Sequence, residues 1–355
     1  MRVVIAALRR AAAACLSLSL LASPALAAEE IAGGAPVLTV AALKVGTVNW
    51  ELSTIRARGF DRANGFALKV EGMAGGPAAR IAFQAGEADA MVADWIWVAR
   101  QRAAGKDYVF LPYSRAVGAL MVPADGAKTV AELRGGEIGI AGGPLDKSWL
   151  ILRAWAEAEH GVDLAAETRQ VYGAPPLIFQ QAKAGRLSGA VNYWHWGAKA
   201  AAAGMRKLAT VEEAAAALGL SADTPLLGYV FHGEMLREHP ALLAAFARAS
   251  RAAKGLMLAD DAVWEGLRAQ MRAASEAEFD ALRAGWRAGA PGDGPVDEGA
   301  ADRMLALMAR LGGATLVGGA DRLPAGVFVD AGALNAAAAA SASADAAAAT
   351  PKVRR

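Results

Sequence analysis

The sequence predicts an α/β protein in which two βα series follow one another. Three observations predict it. Strand–turn–helix units recur along the chain, long connections separate successive strands, and the turns pair glycine with aromatic residues. Glu137–Trp149 is the most legible unit: Ile138 and Ile140 mark a short strand, and Gly142, Gly143 and Pro144 a turn. Leu145, Trp149, Leu152 and Ala156 then follow at helical spacing. Two glycines let a guest approach the backbone, and the first free N–H groups of the helix point out of the turn. Strand connections of roughly ten residues or more imply a parallel sheet covered on both faces.

In chain order, Leu38 to Val48 reads as the first strand, and Asn49 suits the N-cap of a helix running to Arg62. Asn64-Gly65 is a turn, after which Phe66, Leu68 and Val70 alternate along a second strand. Gly75-Gly76-Pro77 opens a helix to Ala85, and Ala88 to Ala93 is a third strand. Asp94-Trp95-Ile96-Trp97 opens the next helix, and Tyr108 to Pro112 is a fourth strand. Tyr113 to Ala116 reads as a hinge.

The second series begins with a strand at Ala116–Val122 and a short helix at Thr129–Leu133, where Glu132 completes a capping-box pattern. The unit at 137–160 follows, then a strand at Thr168–Val171 and a helix after Pro175-Pro176. A strand at Leu187–Tyr193, a helix at Trp194–Ala203 and a strand at Arg206–Val211 close it. Leu226 to Phe231 is a further strand. Beyond it the pattern turns helical, with Leu242, Phe246, Ala249, Ala253 and Leu256 on one face behind Pro240. Further helices are expected around Asp261–Arg272, Glu276–Arg287 and Asp297–Leu311. Val327–Asp330 is expected to dock back on the body, and the Ala/Ser-rich stretch from Asn335 to Arg355 to be an unstructured tail.

The 355 residues suffice for two domains with their own cores. A net charge of +2 with no basic stripe argues against nucleic acid as a partner. Arg2, Arg9 and Arg10 form a basic region ahead of the apolar run Ala11–Leu21, and Ser23–Ala27 ends in an A-x-A pattern. That is a cleavable secretory signal. The apolar run is shorter than the ~18 residues a membrane span needs, and no segment beyond Ile138 is long and apolar enough either. Cys15, the only cysteine, falls inside the signal, so the mature chain offers no disulfide, thiolate nucleophile or cysteine metal site.

The turns at 46–51, 75–77, 94–97, 142–148 and 192–196 carry a resemblance, together with the phrases around them. These are Gly65-Phe66, Ala85-Gly86-Glu87-Ala88-Asp89-Ala90, Thr129–Gly135 and Ala184-Gly185-Arg186-Leu187-Ser188-Gly189-Ala190. In this order behind a signal peptide, over about 35–290, the chain resembles the periplasmic substrate-binding proteins of ABC importers. The branch is the sulfonate, taurine and thiamine-precursor group (SsuA/TauA/THI5-like, NMT1-type). The resemblance implies a type II periplasmic binding fold, two α/β lobes joined by a two-crossover hinge. After a signal peptide at 1–27, lobe one would take 28–114 and 226–334 and lobe two 115–225, with the tail at 335–355. It also implies a periplasmic, monomeric receptor without cofactor or catalysis, which hands a small-molecule ligand to an ABC permease at the inner membrane. An accessory or sensory binding protein of the same fold is the alternative. A pyrimidine-synthesising enzyme is the remoter one, because that branch is marked by a cysteine-rich stretch.

Ligands of open α/β sheets bind outside the carboxyl ends of the strands. The candidate contacts are therefore Asn49, Trp50 and Glu51 at the first turn, Gly76 at the second, and Asp94, Trp95 and Trp97 at the third. Gly143, Asp146, Lys147, Ser148, Tyr172, Asn192, Trp194 and His195 would face them from the second series. Five of the nine tryptophans sit at such turns and suit a planar or cationic solute, one of each i, i+2 pair packing inward and the other facing the cleft. Asp94 either accepts from a ligand amine or caps its helix. Lys147 and Ser148 either hold an anionic group or are solvated. A carboxylate at the third turn, where sulfonate and taurine binders carry small hydroxylated residues, argues against direct sulfonate contact. No HExxH, Cys/His cluster, calcium loop, Walker loop or nucleophile elbow is present. The expected ligand is a small nitrogen- or sulfur-containing organic solute.

Overall fold

A computed structural model of the chain describes residues 34–292, 294–330 and 332–340. The proposed signal peptide lies outside them. The first series runs β1 (Val37–Leu43), α1 (Val48–Ala57), α2 (Phe60–Ala63), β2 (Ala67–Met73), α3 (Gly76–Gln84), β3 (Ala90–Asp94), α4 (Trp95–Ala103) and β4 (Tyr108–Ser114). The chain then crosses to β5 (Ala119–Val122), a 3-10 turn at Val130–Leu133, β6 (Glu137–Ala141), α5 (Lys147–His160) and α6 (Leu164–Glu167). Next come β7 (Arg169–Gly173), α7 (Pro175–Lys183), β8 (Gly189–Asn192), α8 (Trp194–Ala202), β9 (Arg206–Thr210) and α9 (Val211–Ala217). It returns through β10 (Leu227–His232) into α10 (Gly233–Glu238), α11 (Pro240–Ala259), α12 (Ala262–Met271), α13 (Glu276–Ala288) and α14 (Glu298–Val317).

Two five-stranded sheets result, ordered β2-β1-β3-β10-β4 and β7-β6-β8-β5-β9. Central strands such as β1 and β5 are apolar on both faces, which only a sheet covered by helices on both sides tolerates. The sheets are mixed, not purely parallel. β10 enters antiparallel between β3 and β4, and β5 lies antiparallel between β8 and β9. These two inserted strands adjoin the crossovers, so each sheet receives one strand from chain arriving from the other.

The body is continuous behind the sheets. One apolar cluster runs from Met91, Ile96 and Phe110 through Leu305 and Met308 of α14 to Ile138, Leu152 and Val191. Val327–Val329 docks against β4 as expected: Phe110 N–H donates to Val327 O at 2.7 Å, and Val329 N–H to Phe110 O at 2.9 Å. The expected unstructured tail is helical through residue 340, alanine being the strongest helix former, and the remainder lies outside the described residues. Among the described residues no helix is long and apolar enough to cross a membrane.

Candidate functional site

The groove between the sheets is framed by two helix starts. At the end of β3, Asp94 is extended and its carboxylate accepts from Trp97 N–H at 2.9 Å, capping α4. At the end of β6, Gly142 and Gly143 both take φ near +89°, which favours glycine. A Cβ on Gly142 would lie 2.9 Å from Asp146 Oδ2 and 3.3 Å from the Tyr193 hydroxyl, so the turn also needs glycine for space. Asp146 then accepts from Trp149 N–H at 3.1 Å and caps α5. The two caps are tied across the groove, because Lys147 Nζ lies 3.1 Å from Asp94 Oδ2.

Burial pushes the Asp146 carboxyl above the usual range, and the nearby Asp94 charge adds to this; Trp149 N–H, Lys147 and Ser148 N–H pull the other way. Burial, and then the Asp146 charge, raise the Tyr193 hydroxyl. This corner therefore favours any group that supplies positive charge or donors to Asp146.

Aromatic rings make a second tie. Trp50 on α1 meets Trp194 on α8 edge-on, ring centroids 6.0 Å apart, and meets Trp264 on α12 at the same distance. Alongside, Lys199 of α8 pairs with Glu278 of α13 and donates to Arg272 O at 3.0 Å. His195, the second residue of α8, has its pKa lowered to about 4, by burial first and by Lys199 second. Its imidazole is neutral at pH 7. Because the unfolded ring takes up a proton near pH 6.5 and the folded one only near 4, stability should fall as pH drops through that window. His195→Gln should flatten this part of the slope between pH 7 and 5, as read by urea unfolding. An unchanged slope would mean that the folded ring titrates normally.

At the crossover end the groove widens into a cavity of about 450 Å³. Its walls come from both crossovers (115–119 and 221–226), from Lys147 and Ile151 of α5, from Trp194 and its neighbours on α8, and from α9, α13 and α14. Arg115 of the first crossover pairs with Asp223 of the second at 2.8 Å.

No protein-family model and no curated protein matches the chain. Solved structures do. The aliphatic sulphonate binding protein SsuA of Escherichia coli superposes with a TM-score of 0.63 at 18% identity, over 79% of this chain and 94% of that one. The alkanesulfonate-binding protein SsuA of Xanthomonas axonopodis, bound to MOPS, gives 0.62 at 18% identity over 82% and 98%. A zinc-bound ligand-binding component of an ABC-type import system from Staphylococcus aureus gives 0.63 at 14% identity over 85% and 98%. This is the type II periplasmic binding fold.

Within that fold, Asp94, Gly143, Asp146, Lys147, Ser148 and Trp194 stand at the groove or the turns that frame it, with His195 half-buried behind. Other expected contacts are engaged elsewhere. Glu51 is fully buried inside the first lobe, accepting from the Tyr229 hydroxyl at 2.9 Å and the Ser250 hydroxyl at 2.6 Å and pairing with Lys254 at 2.9 Å. Its side chain lies on the face of α1 turned to β10 and α11. Trp95 is fully buried against Phe328, and Trp97 stacks on Tyr108 at 5.7 Å, so neither of this pair is a cleft platform.

Asn49 is not the cap of α1, a position Thr47 holds. Its amide donates to Leu43 O at 2.6 Å and Gly46 O at 2.9 Å and so fixes the turn. Asn192 is buried, donating to Pro175 O at 2.9 Å and accepting from Tyr193 N–H at 2.9 Å. Tyr172, on the edge strand β7, is 45% exposed, and Gly76 begins α3. Among the described residues no group of three or more His, Cys, Asp or Glu gathers that could hold a metal ion. Arg115 and Thr224 were not among the expected contacts, although Arg115 lies inside the stretch read as a hinge.

Proposed function

We propose that the protein is a non-catalytic solute-binding protein of the SsuA/TauA-like group, exported to the periplasm, which delivers a small organic solute to an ABC permease. Lobe one would comprise 28–114 with 226–334 and lobe two 115–225, acting as a monomer without cofactor. The observation that carries the reading is the pair of facing helix starts, tied by Lys147 and Asp94 beside a cavity of about 450 Å³ at the crossovers. That volume falls within the ~300–1,000 Å³ usual for small-molecule sites. Breaking and remaking such ties is what lobe closure around a ligand requires.

The solute is a nitrogen- or sulfur-containing organic molecule, with Trp194 as its aromatic contact. The inward packing of Trp95 and Trp97 removes the double platform that favoured a planar cation. Neutralisation of Asp94 by Lys147 weakens the argument against an anionic group.

A panel of amines, heteroaromatic acids, pyrimidines and sulfonates tests this. One class should raise the melting temperature by several degrees at saturating ligand, since binding at a hundredfold excess over Kd contributes about 2.7 kcal/mol. The same class should change tryptophan fluorescence, and Lys147→Ala should weaken its binding by ~tenfold or more, about 1.4 kcal/mol. A panel that shifts nothing would sink the reading.

A further inference from the structure

The crossover cavity holds two polar groups with nothing to bond. Thr224 is 6% exposed, yet its hydroxyl has no hydrogen-bond partner among the described residues. The same is true of the buried Arg115 Nε–H. Both residues line the cavity. They are neighbours, because Arg115 Nη1 reaches Asp223 Oδ1 at 2.8 Å and Asp223 directly precedes Thr224. Buried polar groups are almost always paired, so two orphans at one end of a cavity mark a place prepared for a partner.

Their chemistry says which partner. An arginine Nε–H can only donate, and a hydroxyl beside it can donate to the same acceptor. The other basic groups on the wall are Lys147, which pairs with Asp94, and the exposed Lys207. Of the carboxylates, Glu212 on the wall is exposed, and Asp223, off the wall, holds Arg115 from outside through Nη1 and leaves Nε–H free. Thr210 and Ser221 apart, the rest of the wall is mostly apolar, with Ile96, Ile151, Val211, Leu226, Met304 and Met308 among its side chains. We infer that the crossover cavity binds a medium-chain aliphatic acid, its carboxylate received by Arg115 and Thr224 and its chain laid among the methionines and aliphatic side chains. This rests on the solute-binding reading but departs from the nitrogen- or sulfur-containing class named there, putting in its place an aliphatic acid and adding a recognition point at the crossovers. Because the two donors come one from each crossover, the bound head would bridge the two connections between the lobes.

Titration calorimetry on the full mature chain with octanoate, and with octylamine of equal length, tests the inference. Octanoate should bind saturably at one site per chain, and octylammonium should not, since it brings donors to donors. Thr224→Val, nearly equal in volume, should weaken octanoate by ~tenfold or more, the size of one hydrogen bond to a charged group. Ala281→Phe, which projects a ring from α13 into the cavity, should abolish binding while the far-ultraviolet spectrum and melting temperature stay near those of the parent. Absence of octanoate binding overturns the inference. So does equal binding of the amine, or an unchanged Kd in Thr224→Val. A solute from the wider panel whose binding is lost in Lys147→Ala but kept in Thr224→Val and Ala281→Phe overturns this inference and leaves the solute-binding reading standing. If neither octanoate nor any member of the panel binds, both fail.

Discussion

Lys254→Met should destabilise the protein by about 3–5 kcal/mol, the usual penalty for removing one partner of a buried ion pair. Lys254 Nζ lies 2.9 Å from Glu51 Oε2, and the Glu51 side chain is wholly enclosed. The same carboxylate receives the Tyr229 and Ser250 hydroxyls, and the Lys254 ammonium sits 5.3 Å from the Tyr113 ring centre and 5.9 Å from that of Tyr229. Without the ammonium, Glu51 keeps its hydroxyl donors but loses its counter-charge, and so either takes up a proton or stays ionised at high cost. Combining Lys254→Met with Glu51→Leu should recover part of the loss, because an apolar pair of similar volume avoids both desolvation penalties. Urea unfolding of the parent, the single and the double variant measures this. A single variant within about 1 kcal/mol of the parent would mean that water already reaches the pair.

Trp50→Ala should cost about 3–5 kcal/mol, the range for deleting a buried aromatic ring. The ring is 4% exposed and is held edge-on between Trp264 of α12 and Trp194 of α8. Such contacts add about 0.5–1.5 kcal/mol beyond the area buried. The variant should also loosen the lobes, which small-angle scattering reads as a larger radius of gyration. Trp264→Ala is the control: it should destabilise the helical cluster comparably while leaving the spacing of the lobes near that of the parent. Equal expansion in both would assign the effect to general loosening. A Trp50→Ala protein as stable as the parent would show that the ring can leave its slot freely.

The sequence was most legible where physics is local. Glycine turns, helix starts and the succession of strands and helices along each series follow from neighbouring residues, and both carboxylates that open helices, Asp94 and Asp146, do cap them. It was least legible where a partner lies far along the chain. Glu51 read as a cleft group because a charge beside a strand end suggests a ligand, whereas its counter-charge, Lys254, lies two hundred residues on, in α11. Trp95 and Trp97 looked like an alternating pair, but α4 begins at Trp95 and is covered on both sides, by Phe328 on one and Tyr108 on the other. The antiparallel entry of β10 also has no local signature, since a strand's apolar run reads the same in either direction. The crossovers carry no periodicity, so Arg115 and Thr224 had nothing to mark them but their place between two patterned series.

The helix α14 gives the seam between the lobes two unlike edges. Along one edge Met308, Leu305 and their neighbours fill the space between α4 and α5 with hydrocarbon. Along the other, α8 meets α13 through Lys199 and Glu278. That pair is itself largely enclosed, its side chains 13% and 11% exposed, and Trp50 packs on Trp194 beside it, so parting this edge strips a buried ion pair and uncovers aromatic surface together. The seam is therefore fastened by two different chemistries, hydrocarbon along α14 and an ion pair flanked by indole rings along α8, so that salt and pH act on one fastening and leave the other untouched.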